Sequence, residues 1–126
     1  PASTGKSYII HILLDYFQKS NQNSLLMALT GIAAQNIGGA TIHSTLQIIH
    51  DEFGFHTLIF RDPNYINSLS HINTIIINEV SMVSSQLLTF ISKLFELLHK
   101  NNYPFGGINI ILVGDLAQLP PIRGSP

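Results

Sequence analysis

Apolar positions in this chain fall into short runs separated by polar punctuation, and the runs alternate in kind. Tyr8 to Phe17 is apolar almost all round, carrying Tyr8, Ile9, Ile10, Ile12, Leu13, Leu14, Tyr16 and Phe17. It predicts a buried helix opening at the Gly5-Lys6-Ser7 turn. Leu25 to Thr30, ended by Gly31, predicts a buried strand. Gly38-Gly39 punctuates the segment after it, and Ser44 predicts the cap of a helix running to about Glu52. Asn64 to Asn73 is polar and reads as loop, with room for a short helical turn. Thr74 to Ile77 is a β-branched run and predicts a second buried strand. Ser84 to Lys100 spaces Leu87, Leu88, Ile91, Leu94, Phe95 and Leu98 as one face of an amphipathic helix, with Lys100 near its end. Tyr103 to Gly107 is turn chemistry, Ile108 to Val113 predicts the third strand, and Pro120-Pro121 stops regular structure.

Continuous apolar strands alternating with helices predict an α/β fold with a mostly parallel sheet flanked by helices. Functional sites then belong at the carboxyl ends of the strands. The 126 residues suit a single domain, and a 45% hydrophobic content describes a chain with a buried core. Charged residues make up 10%, against about 25% in ordinary soluble domains. This deficit implies that part of the surface is covered by something else. The net charge is −1 and there is no basic run, so bulk charge gives no support for nucleic-acid binding. The absence of cysteine excludes disulfides and Cys-based zinc sites. Six histidines, at 11, 43, 50, 56, 71 and 99, show no His-x-x-x-His spacing and read as scattered surface or core residues. No apolar run approaches the ~20 residues of a membrane-spanning helix, so no membrane partner is expected.

Three short runs carry chemistry. Ser3-Thr4-Gly5-Lys6-Ser7 matches the end of a phosphate-binding loop, whose first glycine would precede Pro1. Gly5 lets backbone amides turn toward phosphates, Lys6 supplies a point charge to the β- and γ-phosphates, and Ser7 offers a hydroxyl to Mg2+. The Thr74 strand ends in Asn78-Glu79. In hydrolytic phosphate-loop proteins this position usually carries Asp-Glu, the first residue holding Mg2+ through its water shell and the second activating the attacking water. Glu79 fits the base. Asn78 is a neutral amide where a charged ligand is expected, which predicts weaker Mg2+ binding. After the third strand, Gln118 in Gly114-Asp115-Leu116-Ala117-Gln118-Leu119-Pro120-Pro121 has an amide suited to sensing a γ-phosphate.

Together with Thr30-Gly31-Ile32-Ala33-Ala34 and Thr41-Ile42-His43-Ser44, these runs resemble, in order and spacing, the consecutive motifs of the Pif family of DNA helicases, in the RecD-like branch of superfamily 1. The resemblance covers nearly the whole chain. It implies that residues 1–126 form part of a RecA-like P-loop ATPase domain, truncated at both ends and lacking its first strand. It further implies ATP and Mg2+ as cofactors and 5′-to-3′ movement on single-stranded DNA. Roles in genome maintenance (repair, recombination, telomere maintenance) follow from the same likeness, as does a nuclear or mitochondrial location for a eukaryotic member. Thr30, His43 and Ser44 become candidate contacts to the DNA backbone, made without bulk positive charge. A second motor domain with an arginine finger is the expected partner within the same protein.

Asn78 departs from the family's aspartate, and Ser3 stands where a further glycine is usual. The missing first strand is expected beside the Ile108–Val113 strand, leaving an apolar edge open to aggregation. These departures keep a second reading open: a degenerate relative, from a mobile element or pseudogene, that retains at most nucleotide or DNA binding. A phosphate-loop kinase or nucleotide switch is a third reading. It would need Lys6 and Ser7, but neither the Gln118 run nor the Thr30–Ser44 segment.

Overall fold

The computed structural model describes residues 2–114, with side chains from residue 8 onward. Thr74–Asn78 (β5) is the organising strand, and all five of its residues are buried. Three consecutive isoleucines at the centre of a covered sheet each contribute roughly 1.5–3 kcal/mol by burial. Ser24–Ala28 (β1) pairs with it in parallel, Leu26 opposite Ile76 and Ala28 opposite Asn78. Asn109–Leu112 (β6) pairs in parallel on the other side, Ile77 opposite Leu112. The two-residue Ala40–Thr41 (β2) extends the sheet beyond β1, giving the order β2-β1-β5-β6. The expected parallel sheet is therefore present, with β6 at one edge.

The main core lies on one face. Ile75 and Ile77 pack there with Met27, Leu46, Ile59, Leu69 and the apolar side of Ser85–His99 (α5). Ser84 caps α5, its hydroxyl accepting from the Leu87 amide (3.1 Å), and Lys100 ends it in the left-handed conformation. A kinked turn over Pro104–Gly107 then folds back on α5. There the Phe105 amide donates to Ser92 Oγ (2.8 Å), and Gly106 at φ +68° lies so near the Phe95 carbonyl oxygen that a Cβ would clash with it. That turn delivers the chain into β6.

Four expectations need correcting. Ala2–Lys19 (α1) is one continuous helix that already includes Ser3, Thr4 and Gly5, so these residues are wound into it and do not form an open turn before it. Nor is α1 buried all round. Ile10 is buried, but Tyr8, Ile9, Ile12 and Tyr16 are exposed, because a helix apolar on every side presses only one side onto the sheet.

The helix expected from Ser44 to Glu52 is the short Ile42–Leu46 (α3), capped by Thr41. Gln47 stops it in a left-handed conformation (φ 50°), and the chain then forms an antiparallel hairpin, Ile48–Asp51 (β3) with Gly54–Thr57 (β4). Gly54 at φ +110° makes the turn, and His50 stacks on Phe55 at 4.4 Å. The segment read as loop is a two-turn helix, Pro63–Ser70 (α4). Asp62 caps it by accepting from the Asn64 and Tyr65 amides, with Pro63 at the first helical position. Tyr65 ties α4 to α3 by donating its hydroxyl to the Thr45 carbonyl at 2.5 Å, and partial burial pushes its phenol pKa up.

Candidate nucleotide and nucleic-acid site

Thr30, Thr41, Asn78, Glu79 and Gly114 all lie at or just beyond the carboxyl ends of the parallel strands. As β5 ends, Glu79 takes the left-handed conformation (φ 53°, ψ 50°) and the chain enters a tight turn over Val80–Met82. A glutamate in that region costs of order 1 kcal/mol and persists only where its surroundings enforce it. Two contacts do so. The Val80 amide donates to the Val113 carbonyl (2.9 Å), and the Val80 side chain is fully buried. Gly114, at φ +140°, brings the chain leaving β6 against this turn, where a Cβ would lie 3.1 Å from the Val80 nitrogen and 3.4 Å from Glu79 Cα. The half-buried Glu79 is thus set by the backbone of the neighbouring strand exit.

Asn78 is 4% exposed. Strand alternation turns it to the face of Ile76, opposite the main core, where Gly31–Gln35 (α2) packs through Ala33 and Ala34 on Ala28. Its Nδ2 donates to the Ala33 carbonyl at 3.3 Å. Its Oδ1 is buried and has no hydrogen-bond partner. A buried acceptor without a donor is costly unless something that binds there supplies one. A water in the shell of a hydrated cation is such a donor, so the Asn78 oxygen fits a cation such as Mg2+ held through water.

Thr30 caps α2, its Oγ1 accepting from the Ala33 amide at 3.2 Å. Thr41 does the same for α3, accepting from the Ser44 amide at 3.1 Å, so Ser44 lies inside the helix and is not its cap. The exposed Ser44 hydroxyl shares a 2.8 Å bond with the Thr41 hydroxyl. His43 is half-buried in the same turn. Thr30 follows β1 and His43 and Ser44 follow β2, so the three stand on neighbouring strand exits along one end of the sheet.

Ser3, Thr4, Gly5, Lys6 and Ser7 occupy the first turns of α1. The side chains of this segment lie outside the described residues, as does Gln118. An open cleft of about 630 Å³, lined by Leu14, Gln18, Asn23, Ser24, Asn67 and His71 among others, lies at the amino end of β1, away from Asn78 and Glu79. Sequence reasoning assigned no role to Ala33 or Gly114. A glycine directly after a strand was the available sign for Gly114, whereas nothing local marks Ala33.

This sheet order, with an acidic strand end beside a second strand exit, defines a RecA-like domain of the phosphate-loop class. The family model described as PIF1-like helicase matches residues 1–126. The ATP-dependent DNA helicase PIF1 of Saccharomyces cerevisiae (strain YJM789) is 33% identical over 130 residues, covering 99% of this chain. The crystal structure of Pif1 helicase from Bacteroides in complex with ADP-AlF3 and ssDNA superposes with a TM-score of 0.76 at 32% identity, covering 98% of this chain. The Candida albicans Pif1 helicase structure gives 0.74 at 34% identity over 97%. The chain belongs to the PIF1-like helicase family. It spans 15% of the yeast relative's length, and 28% and 29% of the two crystallised chains.

Proposed function

We propose that the protein containing this chain is an ATP-dependent DNA helicase that moves 5′ to 3′ along single-stranded DNA, with roles in DNA repair, recombination and telomere maintenance. The observation that carries the reading is the Asn78-Glu79 strand end, with Glu79 locked against the β6 exit and the Asn78 acceptor left open. A Bacteroides relative of 32% identity crystallised with ADP-AlF3 and ssDNA supports both ligands. Lys6 neutralises phosphate charge, and Ser7 and Asn78 would hold Mg2+, the latter through water. Bound there, Mg2+ offsets negative charge on the phosphates. Glu79 takes the proton of the attacking water. Gln118 reports the γ-phosphate, and Thr30, His43 and Ser44 grip the DNA backbone. A second motor domain of the same protein completes the nucleotide site.

Single-strand-stimulated ATP hydrolysis by the full-length protein tests this. Glu79→Gln is expected to lower the stimulated kcat by about 10² or more while leaving nucleotide binding intact. Lys6→Ala is expected to abolish nucleotide binding. A wild-type protein without DNA-stimulated hydrolysis, or a Glu79→Gln protein of full activity, overturns the proposal.

A further inference from the structure

The last carbonyls of a helix have no partner within it. In α2 the Ile37 amide, which would serve the Ala33 carbonyl if the helix continued, bonds to the Ala34 carbonyl instead (3.2 Å), as does the Gly39 amide (2.9 Å). The Ala33 carbonyl is served by Asn78 Nδ2, from a residue 45 positions away on the central strand. This contact fixes the amide's orientation, because only the nitrogen end donates. The oxygen end of the same side chain is the buried, unpartnered acceptor. An aspartate could not make this pair of contacts: its carboxylate has no proton to donate and would set a negative oxygen against the Ala33 carbonyl.

We infer that Asn78 is a two-ended link, with its amide nitrogen capping α2 and its oxygen facing the hydrated cation of the bound nucleotide, so that nucleotide occupancy and the grip of the Thr30 segment on single-stranded DNA are coupled through one side chain. The inference rests on the helicase reading above. It assigns Asn78 as a positioning residue for α2, and the neutral amide becomes a device of this chain with a use of its own. The cation-facing end alone would be served better by a carboxylate. Only the amide serves both ends. Pull on the oxygen end by a bound cation shifts the nitrogen end against Ala33, and Thr30 stands three residues away at the other end of the same short helix.

The test measures single-stranded DNA affinity of the full-length protein by fluorescence anisotropy, with and without saturating Mg2+ and ADP-aluminium fluoride. Hydrogen exchange of the amides of residues 36–39 is followed in parallel. The wild type is expected to change its DNA affinity about fivefold or more on binding nucleotide. Asn78→Asp keeps and charges the acceptor end but removes the donor. It is expected to bind Mg2+ and nucleotide at least as tightly as wild type, to bring the affinity ratio close to one, and to exchange those amides about tenfold faster. Asn78→Ala removes both ends and is expected to lose the coupling together with part of the Mg2+ dependence, which covers the case of an aspartate variant that does not fold. An Asn78→Asp protein that keeps the wild-type ratio, or unchanged exchange at 36–39, overturns the link. So does a wild type that binds both ligands without coupling. A wild type that binds neither nucleotide nor DNA refutes the helicase reading itself, and that outcome is distinguishable from the others.

Discussion

Gly114 constrains Glu79 through the backbone of the neighbouring strand exit. Its φ of +140° is open to glycine and closed to most other residues, and any Cβ there presses on the Val80 nitrogen from 3.1 Å. Gly114→Ala is therefore expected to cost about 1–3 kcal/mol of stability, read as a lower denaturation midpoint. On the helicase reading proposed above, it is also expected to lower the DNA-stimulated ATP-hydrolysis kcat of the full-length protein by about tenfold to a hundredfold through displacement of Glu79. A variant with unchanged kcat would separate Glu79 from the β6 exit. At this scale the sequence was partly readable. Glu79 stands out because a carboxylate ends an apolar run. The contact of Asn78 with α2 does not, because its partner lies 45 residues away and neither periodicity nor spacing signals a side chain capping a helix on another element.

Among the elements, β5 and α5 were legible because their signals are dense and unmixed: three successive isoleucines, and six apolar residues on one helical face. The β3–β4 hairpin was hidden by Gln47, a non-glycine residue in the left-handed region that ends α3 where the apolar pattern continues. α4 was hidden by its polar composition, although Asp62-Pro63 is a start signal of known mechanism. The hairpin turn has a measurable signature. The Phe53 amide donates to Asp51 Oδ1 at 2.8 Å and lowers the Asp51 pKa, partial desolvation opposes this, and His56 Nε2 at 3.1 Å adds to the lowering. A carboxylate with a depressed folded pKa stabilises fully above its unfolded value, and that contribution disappears as pH falls through the folded value. In an NMR titration Asp51 is expected to titrate below the ordinary 3.8, with the Phe53 amide shift following it. A midpoint at or above that value would contradict the turn geometry.

For the molecule as a whole, the outer side of β6 matters most. Among the described residues no strand pairs with it, and Ile110, Ile111 and Leu112 are only half-buried. An unpaired apolar ladder is a template for another chain. The isolated 126-residue chain is expected to self-associate with rising concentration in sedimentation experiments, and a Lys substitution at Ile111 is expected to reduce this; a strictly monomeric chain would contradict it. The exposed Tyr8, Ile9, Ile12 and Tyr16 of α1 agree with the low charged fraction in indicating a surface meant to be covered. The hairpin has a different consequence. Its two strands form a sheet of their own, sharing no ladder with the parallel one, and its tip at Phe53 stands in solvent. Residues inserted between Phe53 and Gly54 would lengthen this arm while every parallel register stays as it is, so its reach can change without disturbing the sheet that carries Asn78 and Glu79.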